Sequence, residues 1–136
     1  MSIDQLRAQH ALNKIESLQG QDVKRYTSYV KALPANILQN GLGQAMATLL
    51  AASKGKPAFK NNEVNEAHRL LFAHLQSWLC RNDPAAPYPC DQEPTMEDTT
   101  LMEKITRGDE AAYIRAQAEA LAYLNWLKKF AVAYLS

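Results

Sequence analysis

Long apolar runs are missing from this sequence. None approaches the ~20 residues that a membrane span requires. The opening Met1-Ser2-Ile3-Asp4-Gln5-Leu6-Arg7 lacks the apolar stretch of a signal peptide, so a cytoplasmic protein with no membrane partner is expected. Cysteine is scarce: Cys80 and Cys90 are the only two. Their spacing matches neither a zinc nor a redox pattern, and free thiols are expected, a bridge closing the intervening loop being the alternative. Net charge is nearly absent at +1, which excludes a uniformly basic nucleic-acid binder.

Motifs that carry chemistry are missing too. Metal-binding bundles place ligands on one helix face as Glu-x-x-His or His-Glu-x-x-His, and neither occurs. His68 and His74, six residues apart, point to different sides of their helix. No Walker-type or dinucleotide-binding glycine loop is present, since Asn40-Gly41-Leu42-Gly43 is too short and follows a helix rather than a strand. A helix-turn-helix reading fails because Ile37 stands where a small residue is needed. No metal, cofactor or catalytic residue is therefore expected.

What is present is a helix-forming pattern. With 136 residues, 47% of them hydrophobic and 21% charged, the chain suits one globular domain over residues 1–136. Apolar residues recur at helical spacing. The first helix is expected over 3–19, with a Ser2–Gln5 capping box and Gly20 at its end. A second is expected over 22–33, broken or restarted by Pro34. A third stripe runs through Leu38, Leu42, Ala45, Met46 and Leu49, its glycines marking a turn or a close backbone approach. A loop follows at 53–60, a strong helix at 62–80 and a proline-rich loop at 81–94. Thr95 with Asp98 is expected to cap a short helix closed by Gly108, and Asp109 to cap a last helix reaching about Leu135. That helix is apolar on more than one side, with Tyr123, Trp126 and Phe130 as core residues. The expected fold is an all-α bundle of about five to six helices around a long central C-terminal helix.

Charge is unevenly placed. Residues 1–60 carry eight basic side chains against three acidic ones, a net +5, whereas residues 61–108 carry four against eight, a net −4. Such a split can orient a protein between an anionic and a cationic partner, or it can mark solvated helix faces.

Three segments point further: Tyr26-Thr27-Ser28-Tyr29-Val30-Lys31-Ala32-Leu33-Pro34, then Ala35 to Ala47, and Glu119 to Ala131 with its Trp126-Leu127-Lys128-Lys129-Phe130 core. With Arg7-Ala8-Gln9-His10-Ala11 near the start, they resemble the small α-helical subunit of the Cmr complex, the type III-B CRISPR effector. The resemblance runs from about Arg7 to Leu135, and the stretch Arg81 to Pro94 departs from it. It implies a non-catalytic antiviral-defence subunit. Copies of it stack into a short filament beside the backbone and large subunits and help hold CRISPR RNA and target RNA.

RNA held without reading its sequence requires Lys and Arg spaced to meet phosphates. The candidates are Lys14, Lys24, Arg25, Lys31, Lys54, Lys56, Lys60, Lys128 and Lys129, each of which taken alone also reads as solvated charge. The acidic segment 91–103 is a candidate to meet a neighbouring copy. The alternatives are the small subunit of the type III-A effector, a helical adaptor that binds only protein, and a small nuclease using His10, His68 or His74 as acid and base.

Overall fold

The computed structural model describes residues 1–21, 23–54 and 62–135, with only the backbone of residues 62–64. Six helices follow one another: α1 (Ile3–Glu16), α2 (Lys24–Asn40), α3 (Leu42–Lys54), α4 (Asn62–Leu79), α5 (Thr100–Arg107) and α6 (Glu110–Leu135). No strand occurs among the described residues, so the chain is all-α with a long C-terminal helix.

The capping box forms as the sequence dictates: Ser2 Oγ accepts from Gln5 N–H, and Gln5 Oε1 accepts from Ser2 N–H. The end of α1 differs. It stops at Glu16 rather than 19, because Ser17 Oγ donates to Lys14 O and Leu18 N–H donates to Ile15 O, winding the chain into turns. Those turns bury Leu18 in the core before Gly20 redirects the chain at φ +84°.

Pro34 does not break its helix. It lies inside a continuous α2 whose Val30, Leu33 and Ile37 are all buried. Burying side chains of this size is worth about 2 kcal/mol each, which offsets a penalty of ~3 kcal/mol for one interior proline. The break falls instead at Gly41, at φ +86°, so Leu38 lies in the last turn of α2 and is 70% exposed rather than part of the third stripe. Gly41 also permits a close approach. A Cβ there would lie 3.0 Å from Tyr113 Oη, while Gly43 N–H donates to that oxygen at 2.9 Å and Leu42 N–H to Gln117 Oε1 at 2.9 Å. The α2–α3 corner is thereby fastened to the start of α6.

Thr95 and Asp98 do pair, Asp98 Oδ2 accepting from Thr95 N–H. They close a turn and not a helix start, and α5 begins at Thr100 with no side-chain cap from Thr99. The missing cap is supplied from α4: buried Gln76 accepts from Leu101 N–H and donates to Asp98 O. Asp109 caps α6 as expected, accepting from Ala112 N–H.

α6 packs against α1, α2, α3 and α4. The element enclosed on every side is the C-terminal half of α4, where each residue from Leu71 to Leu79, and then Cys80, is buried. Its polar members are satisfied by neighbours. His10 lies between Tyr123 Oη at 2.7 Å and Ser77 Oγ at 3.0 Å, and Tyr26 Oη meets His74 Nδ1 at 2.6 Å. Glu119 on α6 accepts from Arg7 Nε and Nη2 on α1 and from Trp78 Nε1 on α4, at 2.7 to 2.9 Å.

Replacing Glu119 by Ala removes the acceptor of the Trp78 N–H and of two Arg7 N–H groups, leaving Arg7 only its 3.3 Å contact with exposed Asp4. Chemical denaturation should show a loss of about 2–4 kcal/mol. Gly41→Ala forces a side chain into the left-handed region against Tyr113. It should cost about 1–2 kcal/mol in the same assay, whereas Gly20→Ala, with nothing within 4 Å of the new Cβ, costs only the strain of its φ.

Candidate nucleic-acid interface

The helices divide the sequence's candidate cations among separate neighbourhoods. Lys24 and Lys31, seven residues apart on α2, line a cleft of about 400 Å³ with Thr27, Ser28 and Leu135 at the end of α6. α2 and α6 run antiparallel, since the other end of α2 meets Tyr113 and Gln117 near the start of α6. Lys128 lies seven residues before Leu135, two turns of helix that return to nearly the same side. Exposed Lys24, Lys31 and Lys128 thus share the α2–α6 flank, and none of the three makes an ion pair among the described residues.

Lys129 goes elsewhere. It stands over the Trp126 ring at 6.0 Å, and Trp126 Nε1 donates to Asp4 Oδ1 at 2.9 Å, which places Lys129 on the α1 side of α6. Asp4 is held below the ordinary carboxylate range by that Trp126 hydrogen bond, with Arg7 and Lys129 adding to the effect. Trp126 and Phe130 stack on one another, half-buried, and Tyr123 is fully buried as a core residue.

Lys14 borders a different cleft of about 300 Å³ with Ser17, His74, Ser77, Glu93 and Thr95. Lys54 lies in a crevice with Arg69, Glu97 and Asp98. Carboxylates of the chain itself adjoin both lysines, so neither offers a clean positive surface. Arg25 is exposed in the first turn of α2. Lys56 and Lys60 lie outside the described residues.

The start of α2 is electrostatically unusual. Its first turn holds Lys24 and Arg25 and no acidic residue, and Val23 provides no side-chain cap. Cations at the positive end of a helix dipole repel it, and an anion placed there relieves both. Sequence reading finds these residues but not their convergence, because Leu135 is 104 positions away from Lys31 in the chain.

The acidic middle is largely occupied within the chain. Glu97 pairs with Arg69, Glu93 accepts from Ser77 Oγ, and Asp98 closes its own turn. Asp91 and Glu103 remain as exposed, unpaired carboxylates among the described residues.

Each of the three histidines is held by neighbouring side chains. Both ring nitrogens of His10 are engaged, His74 is held by Tyr26, and His68 stacks on Tyr29 with centroids 3.9 Å apart. Burial, with Lys14 nearby, pushes His10 down to about 4 and His74 down to about 3. Both are neutral near pH 7, and each has a hydrogen-bonding role. Among the described residues no three His, Cys, Asp or Glu side chains group as metal ligands, and no helix is long and apolar enough to cross a membrane.

The family described as CRISPR-associated protein (Cas_Cmr5) matches residues 3–134. The match spans the proline-rich loop at 81–94 as well as the segments on either side of it.

The buried histidines set an acid limit on stability. Their folded pKa values lie below the unfolded value of 6.5. The unfolded chain therefore takes up protons first, and stability falls as pH drops below 6.5 toward 4. With two such groups the slope approaches ~2.7 kcal/mol per pH unit. Urea midpoints followed by circular dichroism between pH 4.5 and 7.5 measure it. His74→Asn, which keeps an acceptor for Tyr26 but cannot titrate, should about halve the slope.

Proposed function

The chain belongs to the CRISPR-associated protein (Cas_Cmr5) family, small subunits of Cmr complexes in CRISPR defence, and on that premise we propose that its α2–α6 flank grips RNA in a type III-B effector. The observation that carries this reading is the pairing of Lys24 and Lys31 along one cleft at the uncapped, cationic start of α2, with exposed Lys128 two turns of α6 before Leu135.

The physical demand is modest. Pairing between guide and target supplies sequence recognition, so the subunit needs only to neutralise phosphates. Three lysines with no ion pair among the described residues do this at little desolvation cost, because they are already exposed. Lys24 and Lys31 stand about 10 Å apart along α2, a reach that covers more than one phosphate of a single strand. Exposed Ser28 between them adds a hydroxyl group beside the cleft. Lys14, Lys54 and Lys129 contribute less, each having an acidic or aromatic neighbour of its own.

In this reading the subunit is non-catalytic, works in the cytoplasm and stacks head to tail with further copies. Backbone and large subunits lie beside it, with CRISPR RNA and target RNA in the groove between. The exposed carboxylates Asp91 and Glu103 are suited to the basic side of a neighbouring copy. The neutral, hydrogen-bonded state of buried His10 and His74 favours this role over the nuclease alternative, and the cationic flank favours RNA over a purely protein-binding adaptor.

Reversing Lys24, Lys31 and Lys128 to Glu together should weaken target-RNA binding by the assembled complex at least tenfold. It should also flatten the dependence of log affinity on log salt by about two. Filter binding of labelled RNA at several salt concentrations measures both. The same reversal at Lys54 and Lys129 should have a smaller effect. Normal assembly with unchanged affinity and slope in the triple variant would remove the α2–α6 flank from the RNA path.

A further inference from the structure

Cys80 and Cys90, which the sequence leaves as two isolated thiols, are brought into contact by the fold. Cys80 follows directly on α4 and is completely buried. The chain then leaves through Arg81, whose guanidinium covers the Trp78 ring at 3.7 Å and donates to Trp78 O, and turns at Asp83. It returns so that Tyr88 N–H donates to Leu79 O at 3.1 Å. Two residues later, Cys90 Sγ donates to Tyr88 O at 3.5 Å, and Cys90 stands near enough to Cys80 to perturb its thiol. Cys90 is half-buried and packs against the core cluster that contains Cys80. Both sulfurs are reduced in this structure.

We propose that Cys80 and Cys90 are an oxidisable dithiol that a low-molecular-weight disulfide, such as oxidised glutathione, converts into an intramolecular disulfide tying the 81–94 loop to the end of α4. The geometry sets the order of events. Cys90 is the more exposed of the two residues, so Cys90, as its thiolate, attacks one sulfur of the reagent. The reagent's S–S bond breaks, a mixed disulfide forms on Cys90, and the first small thiolate leaves and takes up a proton. Cys80 then loses its proton and attacks Cys90 Sγ, and the mixed disulfide's S–S bond breaks. The second small thiolate leaves and is protonated in turn. Two protein thiols are oxidised, one small disulfide is reduced to two thiols, and the balance is complete.

The second step is the slow one. Burial pushes the Cys80 thiol up to about 12, and the neighbouring Cys90 adds to this, so little Cys80 thiolate is available near neutral pH. No third ligand adjoins the pair among the described residues, which argues against a metal site. The crosslink acts on a loop with two further attachments: Glu93 accepts from Ser77, and Tyr88 packs against Gly108 at the α5–α6 junction. Closing it restrains the loop in folded and unfolded chain alike, and the stability gain comes mostly from the unfolded side.

The test exposes the full-length native chain to oxidised glutathione, followed by intact mass and peptide mapping under non-reducing conditions. The wild type should lose two hydrogen atoms and yield a single Cys80–Cys90 linked peptide. Its melting temperature should rise by about 5–10 °C, and dithiothreitol should reverse both changes. Cys80→Ser should stop at a glutathione adduct on Cys90, and Cys90→Ser should remain unmodified while folded. A wild type that keeps both thiols free, or that accumulates the glutathione adduct without closing the bridge, overturns the proposal. The wild-type peptide map decides even if a serine variant does not fold.

Discussion

A half-buried carboxylate holds the bundle in register. Glu119 sits on α6 and receives two hydrogen bonds from the Arg7 guanidinium of α1 and one from the Trp78 indole of α4. Burial alone would raise its pKa, but the donors from Arg7 and Trp78 outweigh that effect and keep it ionised below the ordinary range. Hydrophobic packing tolerates a helix sliding by a fraction of a turn. A charge with three directed donors does not, since a small shift leaves ions or an indole N–H unpaired in a place that water reaches poorly. The T-shaped His10–Trp78 pair and the stacked Trp78–Tyr123 pair beside it follow from the same alignment.

Fixing α6 against α1 and α4 also fixes what lies on its other side. The Tyr113 and Gln117 side chains meet the α2–α3 corner, which sets the antiparallel run of α2 along α6. Lys24 and Lys31 are then carried to the end of α6 that holds Leu135, with Lys128 two turns earlier. The cationic flank is a consequence of helix register, and its parts come from opposite ends of the chain. Lys128 and Lys129 show how sharp the division is. A step of one residue, a rotation of about 100°, sends one lysine to the α2 side and the other to the Trp126 and Asp4 side.

Much of this was legible in the sequence because it is local. The Ser2–Gln5 capping box, the Asp109 cap and the spacing of Ala45, Met46 and Leu49 depend on residues within a turn or two of each other. The readings that failed were local rules overruled from a distance. Pro34 is carried inside α2 by the burial of Leu33 and Ile37, and Thr95 lost the start of α5 to Gln76, a side chain on α4. Of the candidate site, the residue types were readable and their grouping was not. Lys14 and Lys54 satisfy the same compositional rule as Lys24, yet the fold sets them beside acidic side chains.

The sequence by itself determined that this is a helical chain, where most helices begin, which residues avoid water, and, through the Tyr26–Ala47 and Glu119–Ala131 segments, the family to which it belongs. Those properties arise from short-range periodicity and from stretches of contiguous residues. Only the tertiary structure decided which lysines stand together, that His10 and His74 serve as neutral hydrogen-bonding groups, and that Cys80 meets Cys90. Each of these depends on the distance between residues that the chain keeps apart, and that distance is set by how buried faces and a few directed polar contacts lock the helices together.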